Sequence, residues 1–188
     1  RSVKDKSVSL EKVLKEHKIP VFSDQASSLL ESDEVRLAIS FLKVLDNPLQ
    51  DINLASVMYS ILGNFSLDEL VYIRGNQKKI NFYYNIIEAK KELEEKEEIT
   101  EFEEKVLEKI NNFVDLLNKF NEYKHIFSIS ELLTRIYKET NLYYQFALEE
   151  NSGLKKANLN ILIDIAIKFE GNENKTLSSY IEYIDNMK

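Results

Sequence analysis

The chain has no cysteine and no tryptophan, and its 188 residues include only four glycines and two prolines. Each shortage excludes something. Without cysteine there is no disulfide framework, which fits a reducing compartment and sets the expectation of a cytoplasmic protein. The two histidines, His17 and His125, have no second imidazole or thiolate at ligand spacing, so a zinc site is not expected. Glycines at 63, 75, 153 and 171 cannot form a dinucleotide-binding fingerprint. Lys175-Thr176 ends as a phosphate-cradling loop ends, but Phe169 and Asn174 stand where that loop needs glycine. With no thiol and no strand–turn–helix serine elbow, nucleophilic catalysis has no support. No apolar run approaches the ~18 residues of a membrane span, and no basic-then-apolar signal segment opens the chain.

Arginine is also scarce: Arg1, Arg36, Arg74 and Arg135 stand among 25 basic residues, against 32 acidic ones and a net charge of −7. That balance argues against a domain that coats nucleic acid, while leaving room for a local basic patch. So few turn residues imply few turns, hence long helices rather than many short strands. No repeat recurs at a fixed period, which excludes a solenoid. The first residue is Arg1 rather than Met, which raises the expectation that the chain is cut from something longer.

What is present is helical periodicity. Residues 9–18 read as a short helix, and Ile19-Pro20-Val21-Phe22 as a lone strand without a visible partner. From Asp33, the residues Val35, Ala38, Ile39, Leu42 and Leu45 repeat at the spacing of a buried helix face, stopped by Asn47-Pro48. Asp51 is expected to cap the next helix, with Leu54, Val57, Met58 and Ile61 inward until Gly63-Asn64. Capping boxes open helices at Ser66/Glu69, Thr100/Glu103 and Ser128/Glu131. After the first, Leu67, Leu70 and Val71 are expected inside. Residues 81–124 read as a helical hairpin, with Tyr83, Ile86, Ile87 and Leu93 facing Phe102, Val106, Ile110, Phe113, Leu117 and Phe120. The charged stretch between them reads as a solvated tip. A short helix is expected over 141–149 and a break at Gly153. A buried face follows on Leu159, Leu162, Ile163, Ala166 and Ile167, then a last helix capped by Thr176.

No residue stands out as catalytic, cofactor-binding or metal-ligating. Asp164 interrupts the apolar run ILIDIAIKF and reads as outward-facing. In the pairs Tyr83-Tyr84 and Tyr143-Tyr144, one ring of each is expected to be exposed. Lys155 and Lys156, at a helix start, form the best local basic spot and the candidate contact for a nucleic-acid phosphate. The plainer reading of the same pair is a solvated helix start.

Two stretches carry a resemblance. "IPVFSDQASSLLESDEVRLAISFLKVLDNPLQDINLASVM" resembles the segment in which superfamily-1 helicases of the UvrD/RecB group leave their second RecA-like domain and enter an inserted accessory subdomain, called 2B. The matching features are the Ile19–Phe22 strand, Glu34-Val35, Leu45-Asp46-Asn47-Pro48 and Asp51. "KKANLNILIDIAIKFEGNENKTLSSYIEYID" is similar to the later part of that insertion in the AddA subunits of bacterial AddAB helicase-nucleases, through Ala157-Asn158-Leu159 and the Leu177, Tyr180, Ile181 helix.

The resemblance implies a mainly α fold: an irregular multi-helix bundle with one short N-terminal strand left from the host domain. It places residues 1–30 at the edge of the second RecA-like domain and 31–188 in the 2B-like subdomain. It implies a non-catalytic part of an ATP-dependent DNA helicase and exonuclease acting in double-strand-break repair and recombination. ATP and Mg would be bound by residues absent from this sequence. The implied partners are the rest of the helicase chain, an AddB-like nuclease subunit, and DNA in the full complex, with no membrane. One departure is visible: the Gly-Ile-Gly hairpin with which the UvrD branch touches duplex DNA is missing, and only Gly63 stands in the equivalent SILGNFSLDELVYIR. A free-standing helical interaction module is the alternative that residues 60–150 leave open.

Overall fold

The computed structural model describes residues 26–75, 79–148, 151–171 and 176–187. The helix expected at 9–18 and the strand at Ile19–Phe22 lie outside the described residues. Within them the chain forms ten α-helices and no strand. These are α1 (Ala26–Glu31), α2 (Asp33–Asp46), α3 (Asp51–Tyr59), α4 (Leu67–Arg74), α5 (Phe82–Glu95), α6 (Glu101–Ile126), α7 (Ile129–Glu139), α8 (Leu142–Gln145), α9 (Ser152–Glu170) and α10 (Leu177–Asp185). A 3-10 turn, Phe146–Leu148, follows α8. The mainly α, multi-helix expectation holds.

Helix α2 is enclosed over most of its circumference. Val35, Ala38, Ile39, Phe41, Leu42, Val44 and Leu45 are buried, and only a narrow stripe through Asp33, Arg36, Ser40 and Lys43 is polar. Asn47 stops it, its Oδ1 accepting the Leu49 N–H at 3.0 Å across the Pro48 turn. Helices α3, α6, α9 and α10 pack around α2. Phe41 meets Phe120 of α6 edge to face, with ring centroids 5.5 Å apart. The hairpin of α5 and α6 forms as expected, with Phe82, Ile86, Ala89 and Leu93 buried on one arm and Val106, Ile110, Phe113, Leu117 and Phe120 on the other.

Four capping boxes close helix starts: the three expected and one at Thr176/Ser179. Other local expectations are corrected. Asp51 does not cap its own helix, where Gln50 holds the N-cap position. Its Oδ1 instead accepts the Phe82 N–H at 2.7 Å, satisfying a free amide at the start of α5. Leu67 and Val71 are 63% and 70% exposed, not core. Glu69 turns inward to Lys109 and Ile73 is buried one turn later, and this fixes the rotation of α4 with Val71 on the far side. Ile61, Ile87, Phe102 and Ile167 are also exposed rather than inward. Gly153 is no break; it is the second residue of α9, and the turn is made by Asn151 in the left-handed region at φ 58°.

Polar contacts tie the late helices to one another and to α2. The Tyr137 and Tyr180 hydroxyls, both on buried rings, donate to the carbonyls of Leu159 and Leu162 on α9 at 3.4 and 3.2 Å. Lys43 pairs with Asp185 at 2.6 Å, and the Ser178 hydroxyl donates to Asp46 at 2.5 Å, laying α10 along α2. Glu34, 2% exposed in the first turn of α2, accepts from the Asn158 amide of α9 at 2.7 Å. Asn158→Ala would leave that buried carboxylate short of a donor. The expected cost is about 1–3 kcal/mol. Urea unfolding should show coupling of at least ~0.5 kcal/mol between Glu34→Gln and Asn158→Ala. Strictly additive effects would mean that the contact does not bind the two helices.

Candidate functional site

Lys155 and Lys156 are the fourth and fifth residues of α9, just after the left-handed Asn151. Each ammonium lies over an aromatic ring: Lys155 is 5.3 Å from the Phe146 centroid, and Lys156 is 5.5 Å from that of Tyr143. Tyr143 rests against buried Tyr137, and its hydroxyl donates to Asn160 Oδ1 at 3.0 Å. The short α8 and the 3-10 turn thus make an aromatic shelf that positions both lysines. Such cation–ring contacts contribute about 0.5–1 kcal/mol at exposed sites. The sequence placed the two lysines and the tyrosine pair separately, and their juxtaposition had no local signal. Tyr144, the outer ring of its pair, is 68% exposed; Tyr84 is the exposed ring of the other. Two cations near a helix N-terminus can attract a phosphate.

The remaining candidates do not join this spot. Asp164 is exposed on α9, as expected. His125 is exposed near the end of α6, and His17 lies outside the described residues. No cluster of three or more potential metal ligands occurs among the described residues. A groove of about 390 Å³ runs between α7 and α9, with Thr134, Arg135 and Lys138 facing Ile163 and Ile167. Arg135 there stacks 3.8 Å above the Phe127 ring and pairs with Glu139 at 3.3 Å; Glu139 also takes Lys119 at 2.7 Å. A second groove, about 260 Å³, lies between α3 and α4 and is lined mainly by Ala55, Leu67, Leu70, Val71 and Phe82.

Two displaced carboxyls, Glu103 and Glu69, belong to helix starts. Glu103 accepts Lys96 at 2.7 and 2.9 Å, the Thr100 N–H at 2.9 Å and the Tyr72 hydroxyl at 2.8 Å. The Lys96 ammonium, then the Thr100 amide and the Tyr72 hydroxyl, lower this carboxyl to about 2. Burial, reinforced by that carboxylate, pushes Tyr72 up to about 12. Burial opposes ionisation of Glu69, but Lys109 at 2.8 Å and the Ser66 N–H outweigh it and hold the carboxyl below its usual range. Lys109 also donates to the Asn64 carbonyl at 2.7 Å. These two clasps lock α4 and the hairpin tip onto α6.

No protein-family model matches the chain. Relatives do. The chain is 35% identical over 188 residues, all of its length, to the AddA subunit of the ATP-dependent helicase/nuclease of Clostridium beijerinckii. It is 32% identical over 170 residues (90% of the chain) to the corresponding protein from Alkaliphilus oremlandii. With the corresponding Staphylococcus haemolyticus protein it shares 30% over 184 residues, 95% of the chain. The chain spans only 14–15% of the length of these relatives.

The Glu103 clasp makes stability depend on pH. The carboxyl is lowered in the folded state, so its contribution is complete above the ordinary range near 4.5 and is lost as pH falls toward about 2. Melting temperatures recorded from pH 6 to pH 2.5 should therefore converge for the parent and Glu103→Gln, the parent being the more stable only at the upper end. A constant gap across that range would remove Glu103 from the pH response.

Proposed function

We propose that this chain, which corresponds to a segment of the AddA subunit of an ATP-dependent helicase/nuclease, is a non-catalytic helical accessory region of that subunit. The observation that carries this reading is the match itself, which runs along 90–100% of the chain and occupies about one seventh of each relative. Residues 31–188 would form the inserted 2B-like subdomain, and residues 1–30 the edge of the RecA-like host. The packing of α10 along α2 supports it, since an insertion leaves and re-enters its host at neighbouring points. The parent would use ATP with Mg, through residues outside this segment, to unwind and degrade DNA during double-strand-break repair. This region would dock against the second, AddB-like nuclease subunit or regulate the motor.

DNA contact by the isolated segment is weak in this reading. Affinity for a duplex comes mainly from phosphate neutralisation and counterion release, and the chain carries −7. Lys155 and Lys156 on their aromatic shelf supply the local exception. A labelled forked duplex, titrated at low and at physiological salt, tests this. Binding should be weak and steeply salt-dependent. Lys155→Glu and Lys156→Glu should each lower the log–log salt slope by about 1. No ATP turnover should follow the protein through purification. Tight binding at physiological salt, or ATPase activity that co-purifies with the chain, would overturn the reading. Binding unaffected by both substitutions would remove the lysine pair from it.

A further inference from the structure

The charge of the chain is not spread evenly. Residues 92–105, around the turn of the α5–α6 hairpin, hold eight carboxylates and two ammonium groups, a net −6 of the total −7, which leaves the other residues at −1. Helix α6 rises about 22 Å from Glu104 to Lys119. There Lys119 pairs with Glu139, the last residue of α7, from which the chain passes into α8. The Debye length at physiological salt is about 8 Å. The acidic tip is therefore screened from the shelf made by α8, the 3-10 turn and the start of α9, and the net charge leaves that shelf open to an anion.

On the shelf, one cation lacks a counterion and one ring lacks a cover. Lys156 lies 5.5 Å from the Tyr143 centroid and pairs with no carboxylate among the described residues. Lys43, Lys96, Lys105, Lys109 and Lys119 each take one. Tyr144, next to Tyr143, is 68% exposed, and its side chain makes no hydrogen bond and no ring contact among the described residues. Tyr143 itself is held in place, against buried Tyr137 and through its hydroxyl to Asn160. A cation without a counterion beside an uncovered ring matches a polyanion with unpaired bases: the phosphate meets the ammonium, and a base stacks on the ring. A duplex keeps its bases stacked inside and offers Tyr144 none. We propose that the shelf is a contact for single-stranded DNA, with Lys155 and Lys156 on the phosphates and Tyr144 stacked on a base. The proposal rests on the reading of the chain as a segment of a helicase/nuclease subunit, and it names the form of DNA that the segment meets.

Fluorescence anisotropy at low salt tests the proposal, with the 188-residue chain and three labelled probes. These are an oligothymidylate, an abasic strand of the same length and charge, and a duplex. The oligothymidylate should bind about tenfold more tightly than the abasic strand. Tyr144→Ala should remove that preference, weakening oligothymidylate binding about tenfold while leaving the salt slope, the abasic strand and the duplex unchanged. Tyr144→Phe should keep the preference, and Lys156→Glu should weaken all three probes. Circular dichroism of Tyr144→Ala should match the parent, since the ring is exposed. Equal binding of the oligothymidylate and the abasic strand, or a preference that survives Tyr144→Ala, would overturn the proposal. So would no binding of the oligothymidylate, or a Tyr144→Ala chain that keeps its DNA binding and loses association with the second nuclease subunit. DNA-dependent ATPase of the complete subunit, measured in parallel, separates the two levels. If it is absent, the functional reading fails; if it is present without the oligothymidylate preference, only the shelf assignment fails.

Discussion

The enclosure of α2 is the constraint on which the other helices depend. Eight of its fourteen residues are buried, including Glu34, so it needs neighbours on nearly every side. Helix α3 follows it immediately and covers one side. The others come from far along the chain: α6 through Phe120, α9 through Asn158, and α10 through Ser178 and Asp185. A helix this apolar cannot stand alone in water, so its burial forces the first and last described parts of the chain together. The two stretches that carry the family resemblance meet in this way, Glu34 of one accepting from Asn158 of the other.

Around that core, the polar contacts that matter are those that hold helix starts to other helices. Glu69 and Glu103 each close a capping box and then take a lysine from elsewhere. Asp51 does the same work without a box, capping α5 from the start of α3 while pairing with Arg74. Such contacts satisfy the free amides of a helix start and, in the same bond, set how the helix is rotated. The rotation of α4 that follows buries Ile73 and leaves Leu67 and Val71 in the open. The displacements of the Glu103 carboxyl and the Tyr72 phenol are therefore explained by architecture and not by chemistry at a site.

Much of this was legible before any coordinates. Local periodicity identified the face of α2, the stop at Asn47-Pro48, three of the four capping boxes, and the seam of α6. Each is set within about one or two turns of chain, which sequence spacing reads directly. The failures share a different cause. Asp51 sought a partner 31 residues away, and Leu67 and Val71 depended on where Glu69 would turn. Period gives the apolar face of a helix; it does not say which of two apolar faces meets a neighbour. For the same reason Lys155 and Lys156 could be named, but not their rings on Phe146 and Tyr143.

The central claim is that the late helices complete the burial of the early one, making the described chain one cooperative unit. Thermal unfolding of a chain shortened after Gly171, and so lacking α10, tests it most directly. That cut removes buried Tyr180 and Ile184 and uncovers one side of α2. The account predicts loss of the cooperative transition, or a midpoint lower by about 10–20 °C, from side-chain losses of several kcal/mol in a chain of this size. A shortened chain that unfolds cooperatively at the parent midpoint would contradict it.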